Sequence, residues 1–184
     1  GAWSSPRVND GTFLDTPILY AAGQEKLRML EALRPGYEET VRRNTREAMA
    51  KLAHPEKVLG VFLDNEMAWF GMSGWDDNPR HTILEEAFRL PTDHAHHQLA
   101  LQFLQSRHAT PADFSKAWGV EVASWDAITM ETLRSSREPA AMADRAEFLK
   151  RAADAYFELT CRAVRAELPG VLILGTRFAG NAPD

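Results

Sequence analysis

Cysteine is almost missing. Cys161 is the single one in 184 residues, so no disulfide forms within the chain and a small disulfide-stapled scaffold is excluded. Long apolar runs are missing as well; none approaches the roughly 20 residues that a membrane-spanning helix needs. Neither Gly-x-Gly-x-x-Gly nor a Walker-type loop occurs, which removes the usual support for a nucleotide-binding fold. Positive charge is not in excess. The 21 Lys and Arg against 26 Asp and Glu leave a net −5, and this argues against an extended phosphate-binding surface. Nucleic acid and membrane are therefore not expected as partners. There is no internal repeat and no low-complexity tract. The opening Gly1-Ala2-Trp3-Ser4-Ser5-Pro6 has neither the basic nor the apolar region of a signal peptide, and no starting methionine. What is present is a folded composition: 45% hydrophobic and 26% charged residues exclude disorder as the dominant state. The length suits one compact domain or part of a larger one.

Residues 1–17 read as irregular, punctuated by Pro6, Asn9, Asp10, Gly11 and Pro17. Residues 18–22, Ile-Leu-Tyr-Ala-Ala, read as a short buried strand ending at Gly23, although the same residues could begin a helix. From 37 to 53 the period is helical, with Tyr37, Val41, Thr45, Ala48, Met49 and Leu52 on one stripe. Residues 58–64 open with Val-Leu-Gly-Val-Phe-Leu, a continuous apolar run that predicts a strand covered on both faces. A helical insert is expected over 81–138. Within it Thr92 is a candidate N-cap, and Thr110-Pro111 with Asp113 a helix start closed by Gly119. The longest helix is expected over 142–168, with a stripe of Ala146, Leu149, Ala153, Tyr156, Phe157, Thr160 and Val164. A second buried strand follows at 171–176. Strands separated by helices imply parallel crossovers, which leaves an open doubly wound sheet or a (β/α)8 barrel.

In both folds functional residues sit at the carboxyl ends of the strands. Here those ends carry Asp64-Asn65-Glu66 and Thr176-Arg177. A carboxyl at such a place lies partly in a low-dielectric wall, which favours its protonated form and suits it to protonating a leaving oxygen. Asn65 offers a donor and an acceptor to a sugar hydroxyl, and Trp69, Phe70 and Trp75 offer flat apolar faces. A strand that ends in polar capping residues would look the same.

The stretch Val58-Leu59-Gly60-Val61-Phe62-Leu63-Asp64-Asn65-Glu66-Met67-Ala68-Trp69 resembles the Leu-Gly-aromatic-x-x-Asp-Asn-Glu-x-x-Trp segment of agarase-type glycoside hydrolases. These belong to the clan of retaining (β/α)8 glycosidases that also holds many β-galactosidases. Three further segments agree in order. They are Gly1-Ala2-Trp3-Ser4, then Phe114 to Gly119 with Ser124-Trp125-Asp126, then Tyr156-Phe157 through Val171 to Ala179, which contains Gly175-Thr176-Arg177-Phe178. The resemblance implies an α/β fold: a partial (β/α)8 TIM barrel from the end of strand two to strand five, with 1–184 as one segment of a glycosidase catalytic barrel. It implies Glu66 as the general acid/base. Asn65 would contact the hydroxyl beside the reacting carbon, and Asp64, Trp69, Trp75 and Arg177 would be substrate contacts. The family's nucleophile is a glutamate on the seventh strand, and no residue here takes its place. The substrate would be a galactose-containing polysaccharide or oligosaccharide, with no cofactor and no metal. The remainder of a barrel, or self-association, would complete the cylinder. An extracellular or periplasmic origin follows only from family analogy.

Other residues have plainer readings. In Asp93-His94-Ala95-His96-His97, His94 and His97 share a helical face but lack a third ligand, so a solvated helix is expected. Trp118 and Trp125 read as core rather than sugar platforms, and Cys161 as a small buried hydrophobe. A non-catalytic carbohydrate-binding remnant and a structural α/β domain completed by a partner chain stand as alternatives.

Overall fold

The computed structural model describes residues 11–23, 27–67, 69 and 82–177. The chain is α/β. Its order is β1 (Ile18–Leu19), α1 (Tyr37–Ala50), β2 (Gly60–Leu63), α2 (Ile83–Ala87), α3 (Ala95–Arg107), α4 (Pro111–Trp118), α5 (Met130–Ser135), α6 (Pro139–Glu167) and β3 (Leu172–Ile173), with 3-10 turns at Arg28–Leu33, Pro55–Lys57 and Trp125–Ala127. The chain divides into two compact units. Among the described residues, 11–23, 27–67 and 154–177 form the first, and 69 and 82–153 the second.

The first unit holds a three-stranded parallel sheet in the order β1-β2-β3. Ile18 pairs with Phe62 and Leu19 with Leu63, while Gly60 pairs with Leu172 and Val61 with Ile173. Isolated bridges Asp15↔Val58 and Asn65↔Arg177 carry the pairing past the strand ends. β2 is the central strand, and its Val61 and Leu63 are fully buried. This is why its sequence is a continuous apolar run and not an alternating one. Gly60 sits where the strands approach closely. A Cβ there would stand 3.0 Å from Leu172 O and 3.1 Å from Leu174 Cγ. α1 buries Tyr37, Val41 and Thr45, and the Tyr37 hydroxyl shares a 2.8 Å hydrogen bond with Thr160 Oγ1 on α6.

The second unit is helical, and its interior carries charge. Arg145 is 2% exposed and Glu85 fully buried. Arg145 Nε donates to Glu85 Oε1. The same guanidinium donates to Leu133 O at 2.6 Å and lies 5.1 Å from the centre of the Trp118 ring. Glu85 also accepts from Thr82 N at 3.1 Å, completing a capping box on α2. α4 is capped by Thr110 and closed by Gly119 at φ 62, as the sequence predicts. For α3 the cap is His94, whose Nδ1 accepts from His96 N at 3.1 Å, and not Thr92. His96 and His97 are buried, so this helix start is packed and not solvated. Among the described residues, no group of three or more His, Cys, Asp or Glu is placed to hold a metal ion. Trp118 is fully buried. Cys161, in the first unit, is half-buried, and burial pushes its thiol up.

Asp144 is a further buried charge of the second unit, accepting from Arg107 Nε at 2.9 Å and Trp118 Nε1 at 2.9 Å, and lying 2.7 Å from His108 Nε2. Burial acts to raise its carboxyl, but the bonds from His108, Trp118 and Arg107 outweigh burial and hold it below its ordinary 3.8. A carboxyl depressed in the folded state adds stability above its unfolded value, and that stability is lost as pH falls through the folded value. Lowering pH from about 6 to about 2 should therefore reduce the thermal midpoint of the native chain more steeply than that of Asp144→Asn, which starts lower. Parallel slopes in a calorimetric pH series would refute this assignment.

Candidate active site

β2 ends at Leu63, and Asp64, Asn65 and Glu66 follow. Their backbone is tied to both neighbouring strands. Asp64 N donates to Leu19 O at 2.8 Å, Leu63 N to Gly175 O at 2.8 Å and Glu66 N to Arg177 O at 2.8 Å. Thr176 Oγ1 donates to Leu63 O. Between these anchors the chain enters the left-handed region twice, with φ 56 at Asp64 and φ 49 at Glu66. A non-glycine residue held there costs about 1–3 kcal/mol and persists only where its surroundings over-determine it.

The three side chains meet three environments. Asp64 is fully buried. Its Oδ2 accepts from Tyr156 Oη at 2.7 Å and from Ala22 N at 3.3 Å, and its Oδ1 from Arg28 Nε at 3.2 Å. Burial raises this carboxyl above its ordinary 3.8, against the opposing pull of Tyr156, Arg28 and the Ala22 N–H. Its effect on stability is opposite in sign to that of Asp144: it weakens the fold as pH rises from 3.8 through the raised value. Burial, and then the negative charge of Asp64, raise the Tyr156 phenol, which stays a donor.

Asn65 is half-buried. Its Oδ1 accepts from Arg177 Nη1 at 2.7 Å, and its carbonyl from Arg28 Nη2 at 2.8 Å. A guanidinium only donates, so the amide oxygen faces Arg177. Nδ2, which makes no hydrogen bond among the described residues, is left to donate to a ligand. Glu66 is exposed, and its carboxylate has no partner among the described residues. The site thus presents an accessible carboxylate beside an amide donor of fixed polarity, on a backbone locked from behind.

No family model matches. The chain is 33% identical over 138 residues to beta-agarase A of Vibrio sp. (strain JT0107), a match covering 70% of this chain and 14% of that protein. It is 26% identical over 155 residues to beta-agarase B of the same strain, covering 82% of this chain and 16% of that protein. The chain is related to the β-agarases. It spans only about a seventh of their length. Two solved structures share the fold of this agarase-related chain. One, described as an exo-beta-agarase, has a TM-score of 0.60 at 24% identity, covering 80% of this chain and 20% of that chain. The other, an agarase, has a TM-score of 0.58 at 19% identity, covering 80% and 21%.

Of the site residues expected in the agarase-type segment, the structure brings Asp64, Asn65, Glu66 and Arg177 together in the first unit. Trp69 belongs to the second unit and is 4% exposed. Trp75 lies outside the described residues, as do Phe70, Gly1 to Ser4, Phe178 and Ala179. Sequence reading missed Arg28 and the hydroxyl of Tyr156. Tyr156 was assigned to helix packing, which its burial fits, but a buried phenol normally finds a polar partner, and that signal was available. Nothing in the sequence singles out Arg28.

Proposed function

We propose that the chain is part of the catalytic (β/α)8 barrel of a retaining glycoside hydrolase acting on a galactose-containing polysaccharide or oligosaccharide, with Glu66 as its general acid/base. The observation that carries this reading is the exposed Glu66 carboxylate beside Asn65, at the carboxyl end of a buried parallel strand in a chain related to the β-agarases. The barrel reading is supported by the strand order, since β1, β2 and β3 follow one another without a reversal, as they do in a singly wound cylinder. It is supported also by Leu59, Leu172 and Leu174, which are 46%, 54% and 40% exposed. Strands of this apolarity are normally covered on both faces, and the remainder of a barrel, or a second copy, would cover them.

The chemistry assigned is double displacement. Protonated Glu66 gives its proton to the glycosidic oxygen as the bond to the anomeric carbon breaks and a second carboxylate, from outside this chain, attacks that carbon. The Glu66 carboxylate then takes a proton from water, whose oxygen displaces the second carboxylate. Asn65 Nδ2 donates to the hydroxyl beside the reacting carbon, and Arg177 keeps the amide in that orientation. Asp64 stands behind, and Trp75 stays a proposed sugar contact.

The isolated chain should bind without turnover. Oligosaccharides released from agarose, titrated into labelled chain, should shift the NMR signals of the Asn65 side-chain amide and the Glu66 backbone amide first, and an aryl galactoside should remain intact. Shifts confined to other residues, or none at saturating sugar, would sink the reading.

A further inference from the structure

We propose that Tyr156 and Arg28 are positioning residues for Asn65 and Glu66, acting through the buried Asp64 carboxylate. In its catalytic sense this rests on the reading above; its geometry does not. Tyr156 lies on α6, 92 residues from Asp64, and reaches one carboxylate oxygen at 2.7 Å. Arg28 opens a 3-10 turn that the chain enters through buried Leu27 at φ 57. Its Nε reaches the other carboxylate oxygen at 3.2 Å, and its Nη2 the carbonyl of Asn65 at 2.8 Å. One rigid guanidinium therefore fixes both the side chain of Asp64 and the peptide that joins Asn65 to Glu66.

That peptide needs fixing. It lies between two residues held at positive φ, Asp64 and Glu66. Neither is glycine, and each would relax toward ordinary backbone if released. Beside the bond from Asp64 N to Leu19 O on β1, the other restraints on the segment come from β3's side: Arg177 O accepts from Glu66 N, and Arg177 Nη1 donates to Asn65 Oδ1. Tyr156 and Arg28 supply the opposing half. Together these bonds restrain the Glu66 backbone from both sides. A reacting carboxylate displaced by about 1 Å loses on the order of 100-fold in rate, so a clamp of this kind bears directly on catalysis.

A purely structural role is the competing explanation, since any buried carboxylate needs donors. Amide hydrogen exchange separates the two. In Tyr156→Phe, the Glu66 amide should lose at least about tenfold in protection, while the Leu63 and Leu174 amides change less than about twofold. A uniform loss across all three, or no change at Glu66, would overturn the proposal. Arg28→Lys keeps the charge but not the two-point contact, and should give the same local pattern if Tyr156→Phe does not fold. Failure of both variants to fold would assign the network to stability alone and also overturn it. If native chain ignores agarose oligosaccharides while Glu66 exchange responds as expected, the functional reading fails and the clamp stands.

Discussion

Glu66→Gln should lower kcat/KM for agarose oligosaccharides by about 100- to 10,000-fold in a protein that carries this segment within a complete barrel. The size follows from the proposed role. Loss of the carboxyl removes proton donation to a poor leaving group in the first step and base assistance to water in the second. An aryl glycoside with a good leaving group needs no proton in the first step. With that substrate the variant should show a burst, then slow turnover with a lowered KM, as the glycosyl-enzyme accumulates. Azide attacks without a base, and should restore turnover and yield a glycosyl azide. A variant within about threefold of native on the oligosaccharide would remove Glu66 from the acid/base role. Stability should hardly move, because the side chain is exposed and has no partner among the described residues.

The second large effect is on folding. Arg145→Met should cost about 3–5 kcal/mol, because it leaves Glu85 charged and fully buried with its cation removed. It also strips donors from Leu133 O and Ser136 O, to which Arg145 Nη2 donates at 2.6 and 3.3 Å. For a chain of this length the thermal midpoint should fall on the order of 10 °C. The double variant Glu85→Leu with Arg145→Met should recover part of that loss, since an apolar pair of similar volume avoids desolvating either charge. Urea unfolding of the two variants measures both terms. A double variant no better than Arg145→Met would mean that the arginine stabilises mainly through the carbonyls and the Trp118 ring.

The same buried charges explain where sequence reading strayed. On α6 it chose Ala146, Leu149 and Ala153. The buried positions are Arg145, Phe148 and Ala152, one residue earlier, before both stripes merge at Tyr156, Thr160 and Val164. Periodicity sorts residues by polarity, so a core face carrying Asp144 and Arg145 is read as surface. The sequence places the start of α6 at 142, whereas it lies at Pro139, a residue suited to a first turn. The capping box Thr82-x-x-Glu85 was written in the sequence and not singled out. β2 was legible because a fully covered strand is an unbroken apolar run, and its end was marked by the abrupt change at Asp64. The hand of the backbone there was not legible. Asp and Glu do not announce positive φ as glycine does. The partners that enforce it, Arg28 and Tyr156, are 36 and 92 residues from Asp64, and one sequence holds no record of such pairings.

The solitude of the Glu66 side chain has an evolutionary corollary. Glutamate and glutamine codons differ by one base, and nothing packed among the described residues would register the exchange. On the proposed reading, a lineage can therefore silence hydrolysis in a single mutational step while keeping its grip on sugar. Asp64, hemmed in by three donors, has no comparably neutral exit.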